Sequence, residues 1–158
     1  MMIHVALMLA EPGDVLVIDG GGDLSTALIG GLMRTTAIAR KLGGIIIDGA
    51  LRDVRDWADG QMPVFAKGHV LRGPSKEGPG EINVPVACAG LAVLPGDLVL
   101  GDADGVLAIP AVEAESLLPK CHAVAEREMR VMAQNATGVI DHARINDMLS
   151  KRGFNLPR

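Results

Sequence analysis

The pattern of apolar and polar positions divides the chain into short elements. MMIHVALMLA (1–10) predicts a short helix that Pro12-Gly13 stops. DVLVIDGGGD (14–23) predicts a strand running into a Gly-rich turn, and STALIG (25–30) a second, shorter extended piece. LMRTTAIARKL (32–42) predicts a helix with small residues on one face and Gly43 just past its end. GIIID (44–48) is β-branched with no polar alternation, as a strand buried on both faces requires. Residues 14–48 therefore form a β–(β)–α–β unit whose longer strands are expected to run parallel with a right-handed connection.

Downstream, MPVFAKG (62–68) predicts a short strand, and HVLRGPSKEGPGEIN a long Gly/Pro loop. VPVACAG and LAVLPGDLVLGDADGVLAIP predict several short strands, with DADG (102–105) as a hairpin turn. From Ala111 the pattern turns helical. Pro119 is expected to open one helix, NATG (135–138) to separate it from the last, and NLPR (155–158) to be a frayed end. The expected organisation is an α/β core over 1–110 and a helical extension over 111–158.

Composition changes this picture little. At 158 residues, 49 % apolar and 22 % charged, the chain has the material for one globular domain. With no Tyr, one Trp and two Phe, its core is mainly small aliphatic side chains, which invites burial against other subunits. A net charge of −4 and the lack of a basic stripe argue against nucleic-acid binding. No apolar run approaches membrane-spanning length, and the N-terminus lacks the pattern of a signal peptide. Cys88 and Cys121 form no CxxC, so a cytoplasmic location without a disulfide framework is expected.

Several familiar chemistries are excluded. DGGGD lacks the third glycine of a dinucleotide fingerprint, since position 25 is Ser, and reads as a turn with positive φ. DADG lacks the later ligands of a calcium loop. His4, His69, His122 and His142 have no ligand spacing. Ser25 and Thr26 sit in no nucleophile elbow.

GGIIIDGALRDVRDWADG (43–60) is different. Asp19 and Asp48 close two parallel strands, whose carboxyl ends are where open α/β sheets collect ligands. A helix start at Gly30-Gly31 would offer bare backbone N–H groups to an anion, provided that the 25–30 piece returns to this edge. Arg52 adds a planar donor for a carboxylate or enolate oxygen, and Asp53 a hard oxygen ligand suited to Mg²⁺. The same residues also describe a solvated helix start with i,i+4 charge pairs such as Arg52 with Asp56. Arg55-Asp56 reads as surface.

GLMRTTAIARKLGGIIIDGALRDV, GPSKEGPGEINVPVACAG and LPGDLVLGDADGVLAIP together resemble the RraA-like family. That family includes a regulator of RNase E activity and the metal-dependent 4-hydroxy-4-methyl-2-oxoglutarate and 4-carboxy-4-hydroxy-2-oxoadipate aldolases. The KEGPGE loop and the long helical tail look more like the aldolase branch. The resemblance implies a swivelling β/β/α domain, a trimer or hexamer with sites between subunits, and Mg²⁺ (or Mn²⁺ or Co²⁺). It implies a lyase that releases pyruvate from a small 2-oxo acid, with oxaloacetate decarboxylation as a companion activity. By the family pattern, Arg52 holds the pyruvoyl oxygen as catalytic residue and Asp53 ligates the metal. The backbone of Gly30, Gly31, Leu32 and Met33 binds the substrate carboxylate. Glu128, or secondarily Glu126, from a neighbouring copy orders metal-bound water.

Two departures stand out. The aldolase signature has an Asp twenty residues before the Arg-Asp pair, and that place is Gly31 here, which puts the acid–base step of aldol cleavage in question. Family members usually carry a further N-terminal region, so the chain is expected to begin inside the common domain, with exposed edges and a weakened trimer. The alternative function is a non-catalytic protein that binds and regulates an RNase. A menaquinone methyltransferase, a name attached to some relatives, is excluded because no suitable glycine-rich cofactor loop is present.

Overall fold

A computed structural model describes residues 1–154; the frayed end expected at 155–158 lies outside them. The elements are α1 (Met2–Leu9), β1 (Val15–Asp19), β2 (Ala27–Ile29), α2 (Gly31–Ala39), β3 (Gly44–Leu51), α3 (Val54–Trp57) and β4 (Val64–His69). There follow β5 (Val86–Cys88), β6 (Leu91–Val93), β7 (Leu98–Asp102), β8 (Gly105–Ile109), α4 (Ala111–Asn135) and α5 (His142–Ser150). This is the mixed α/β order expected. Two compact units are present, residues 1–113 and 114–158.

In the first unit β3 is the organising strand, paired in parallel with β1, β2 and β4. Ile45 pairs with both Leu16 and Val64, and Ala50 with both Ala27 and Gly68. A strand has two edges, so β4 lies along one, while β1 and then β2 share the other. The isoleucine run is apolar because it is enclosed on these terms: Ile45 is fully buried and Ile47 nearly so. They form the core with Leu7, Ile18, Ile29, Ala37, Leu42 and Trp57, among others.

The register corrects one expectation. Asp19 does pair with Asp48, so the two aspartates are level, but β3 does not stop at Asp48. It continues to Leu51, because β2 offers Ala27 and Ile29 as partners for Ala50 and Leu51. The end of the central strand therefore immediately precedes Arg52. α2 is also shorter than expected and ends at Ala39, where Lys41 takes the left-handed conformation (φ 58°) that Gly43 was expected to supply.

The Gly-rich turn behaves as read: Gly21 and Gly22 have positive φ, and the amides of Gly20 and Gly22 both donate to the Asp48 carbonyl. β5 and β6 pair antiparallel, as do β7 and β8, whose DADG turn closes with Asp102 opposite Gly105.

In the second unit, α5 is capped by Asp141, whose side chain accepts from the Arg144 amide at 2.9 Å. α4 runs through Pro119 instead of starting there. Its first turn forms just after Pro110, whose carbonyl accepts the Glu113 amide at 2.8 Å. Neither helix has a buried residue. Among the described residues, no helix is long and apolar enough to cross a membrane.

Truncating Ile45 to Ala should lower unfolding stability by about 2–5 kcal/mol, because the cavity would open at the centre of an enclosed strand. Urea denaturation of the variant against wild type measures it.

Candidate functional site

The start of α2 and the end of β3 lie side by side. Ile29 pairs with Leu51, and the Arg52 amide donates to the Ile29 carbonyl at 3.0 Å. The 25–30 piece thus does return to the strand end, as an anion cradle there requires. α2 has no cap of its own, since Gly30 has no side chain to offer. The cap comes from Asp53, whose Oδ2 accepts the Gly31 amide at 2.8 Å. Asp53 reaches it from a left-handed backbone (φ 62°, ψ 43°), a conformation that Asp adopts more readily than most residues. A carboxylate on the first free amide of a helix is favoured by hydrogen bonding and by the helix dipole together.

The two glycines leave room for close approach. A Cβ at Gly30 would stand 2.5 Å from Asp53 Oδ2 and 2.9 Å from Arg52 Nε. A Cβ at Gly31 would stand 2.5 Å from Asp56 Oδ2 and 3.5 Å from Asp53 Oδ2. Arg52 lies across Gly30 and reaches Gly73 at the start of the Gly/Pro loop, where a Cβ would meet its Nη1 at 3.0 Å. Its Nε is 3.7 Å from Asp53 Oδ2, and both side chains remain about 40 % exposed. One guanidinium and two carboxylates therefore converge on a bare helix start that solvent can reach.

A half-buried clamp holds the two segments in place. Arg34 of α2, 9 % exposed, pairs with Asp59 and lies 6.0 Å over the Trp57 ring. The Trp57 indole N–H donates to the Arg52 carbonyl at 3.0 Å. Asp59 also accepts the Gln61 amide at 3.0 Å. That backbone hydrogen bond, and then the one from Arg34, hold the Asp59 carboxyl below its ordinary pKa.

Of the residues expected in the site, Arg52, Asp53, Gly30 and Gly31 are brought together. Leu32 points its side chain into solvent (86 % exposed), and the Met33 amide turns back to the Gly30 carbonyl at 3.1 Å. Glu126 and Glu128 are exposed on α4, in the other unit. Asp48 does not join the site. Its carboxylate accepts the Ala89 amide at 3.1 Å and lies 3.7 Å from Lys67. Burial, and then Asp48 and Asp19, push the nearby Cys88 thiol above its ordinary pKa. Ser25 donates its hydroxyl to Asp23 at 2.8 Å.

The i,i+4 pair of Arg52 with Asp56 is absent among the described residues, because Arg52 has turned toward Asp53. Asp56 and the Arg34 clamp are what reading the sequence missed. The one signal for Asp56 was its spacing, a single helical turn beyond Asp53.

Among the described residues no group of three or more His, Cys, Asp or Glu is placed to hold a metal. Carboxylate oxygens beside open solvent do fit Mg²⁺ or Mn²⁺, which accept one or two protein carboxylates and complete their shell with water and substrate oxygens.

These features define a class: α/β domains with a glycine-lined helix start beside an Arg-Asp pair at a strand end. The RraA-like pattern, described as aldolase/RraA, matches residues 1–108, and the chain belongs to that family. It is 39 % identical over 98 residues to a 4-hydroxy-4-methyl-2-oxoglutarate aldolase of Thermus thermophilus, covering 62 % of this chain and 60 % of that protein. A Halalkalibacterium halodurans protein provisionally named for the same reaction is 42 % identical over 115 residues, 73 % of this chain and 55 % of that protein. The chain thus spans 55–60 % of the length of these relatives. Among solved structures, Streptomyces coelicolor RraAS2, described as an unusual member of the RNase ES inhibitor RraA family, matches with TM-score 0.78 at 28 % identity. That match covers 84 % of this chain and 68 % of the other.

The clamp makes stability depend on pH. Asp59 has its pKa lowered by folding, so its contribution is present above the ordinary carboxylate range and is lost as pH falls through the depressed value. The destabilisation caused by Asp59→Asn should be full at about pH 7 and shrink below about pH 4. Urea midpoints of both proteins across that range measure it.

Proposed function

We propose that this chain carries the catalytic core of a divalent-metal-dependent lyase. It would cleave 4-hydroxy-2-oxo acids, of the 4-hydroxy-4-methyl-2-oxoglutarate or 4-carboxy-4-hydroxy-2-oxoadipate type, to pyruvate. Decarboxylation of oxaloacetate would proceed through the same enolate. The observation that carries the reading is the convergence of Arg52 and Asp53 on the start of α2. The relatives named as aldolases support it.

In this reading Asp53 holds the cation, which supplies Lewis-acid stabilisation of the enolate when bound. Arg52 donates to the 2-oxo oxygen of the substrate. As the bond between C3 and C4 breaks, the C4 hydroxyl gives its proton to water and C4 becomes a carbonyl, while the bonding electron pair passes into the pyruvate enolate; the guanidinium faces the negative charge that develops on the 2-oxo oxygen, and C3 then takes a proton back from water to give pyruvate. The Gly31 amide, which here serves Asp53, is the donor that the substrate carboxylate takes over. Bound through its 2-oxo acid end, the substrate leaves its distal half toward solvent and the Gly73 loop.

We further propose that copies assemble as a trimer or hexamer in which Glu128, or Glu126, of one copy approaches the site of the next. Exposed Leu91, Leu94, Leu98, Leu100 and Leu107 on and beside β6–β8 support an apolar contact of this kind. The second reading, a non-catalytic RNase regulator, is favoured by structural neighbours described as RNase or RNA-processing inhibitors.

Pyruvate release from oxaloacetate should require Mg²⁺ or Mn²⁺, stop with chelator, and fall at least about 100-fold in Arg52→Ala and in Asp53→Ala. A coupled pyruvate assay measures it. Turnover that is absent or insensitive to chelator in folded wild type would remove the lyase reading in favour of the regulator.

A further inference from the structure

Residue 52 is held by its backbone on both sides. Its amide donates to the Ile29 carbonyl at 3.0 Å, and its carbonyl accepts the Trp57 indole N–H at 3.0 Å. Among the described residues no backbone amide donates to that carbonyl, so the indole is the donor that holds it. The next residue, Asp53, is left-handed (φ 62°). Both features belong to one peptide, whose plane sets the direction of the Arg52 carbonyl and the φ of Asp53 together. Rotating the 52–53 peptide by about half a turn would return Asp53 to ordinary negative φ and leave the flanking residues nearly in place. The rotated peptide would then turn its N–H toward the indole instead of its carbonyl, and two donors cannot pair. The indole itself cannot move aside. Trp57 is 6 % exposed in the core with Ile29, Leu51 and Met62, and the Arg34 guanidinium stands 6.0 Å over its ring.

We infer that Trp57 is a positioning residue for the proposed lyase site, on which this inference rests. Its indole N–H locks the 52–53 peptide in the orientation that keeps Asp53 left-handed. Buried as it is, Trp57 meets no substrate and acts through the two residues that do. With the peptide locked, the Asp53 carboxylate stands on the Gly31 amide and Arg52 lies across Gly30. With the peptide free to turn, Asp53 relaxes to the commoner backbone conformation and its carboxylate leaves the start of α2. A residue in a sparsely populated backbone region persists only where its surroundings over-determine it. Here the surroundings are the indole, the core beneath it and the guanidinium over it. Core packing uses the ring of Trp57 alone, whereas the lock uses its N–H, so the two roles can be separated.

The chain has a single Trp, so an analogue supplied in place of tryptophan enters at position 57 alone. The test compares wild type with protein carrying 3-benzothienylalanine, in which sulfur replaces the N–H, and with protein carrying 5-fluorotryptophan, which keeps it. Thermal melting monitors the fold of each. The Gly31 amide proton resonance is read first, without metal or substrate. A carboxylate acceptor moves it downfield, and Asp53→Ala supplies its position with that acceptor gone. Then kcat and KM for oxaloacetate are measured with Mn²⁺. In the benzothienylalanine protein, and in Trp57→Phe where it folds, the Gly31 resonance should move toward its Asp53→Ala position. In the same proteins kcat should fall at least about tenfold with a smaller change in KM, because Arg52 faces charge that develops only as the bond breaks. The fluorotryptophan protein should match wild type in both readouts. A Gly31 resonance or a kcat left unchanged in the folded benzothienylalanine protein would overturn the inference, make Trp57 a core residue only, and leave the lyase reading standing. A wild type that does not turn over oxaloacetate would remove the lyase reading and the positioning role with it.

Discussion

The pairing of Ile29 with Leu51 is the contact on which the candidate site of this chain depends. It is short, but it carries β3 three residues beyond Asp48 and seats the start of α2 against Arg52 and Asp53. A strand enclosed on both edges cannot slip by one residue without turning its buried side chains outward. The isoleucine run thus sets where Arg52 stands, as well as supplying core. Arg34 makes the arrangement stiff from the other side. A buried guanidinium is costly unless it is paired, so α2 and the segment around Trp57 and Asp59 are held together by the need to satisfy it.

Charge at the site is arranged around a vacancy in the side chains, not around a cluster of ligands. Gly30 and Gly31 expose the helix start, and three charged groups from the following turn close over it. Asp53 plays the anion, bound to the Gly31 amide much as a substrate carboxylate would be. An Arg, a hard-oxygen donor and a bare amide suit a small dianion that chelates a divalent cation. They do not suit a thiophilic metal or a nucleotide.

Relatives of this chain carry two kinds of name, aldolase and RNase inhibitor, and both rest on one fold. A fold hosts functions and does not select among them. In the proposed function the weight falls on the site, where a guanidinium and two carboxylates are packed around a helix start. The exposed leucines near β6–β8 answer to a different demand, that of a contact surface, and the two can coexist on one molecule.

Much of the fold was legible in the residues. The β-branched run at 44–48, the Pro-Gly and Asp-Gly turns and the helical period after Ala111 are local signals, and local signals survive in a sequence. The Arg52-Asp53 pair was legible as well, because its residue types name their chemistry. The extension of β3 to Leu51 was not, since it depends on a partner strand more than twenty residues away. Pro119 was misread because a proline marks a helix boundary only when nothing stronger precedes it, and Pro110 does. Asp56 looked like surface, and by exposure it is. Only the folded chain shows that a carboxylate three residues beyond Asp53 lands on a glycine at position 31. Residue identity determined which chemistry was available, and the tertiary structure decided which side chains share a point in space. The pairing that brings them together is long-range, and periodicity carries no record of it.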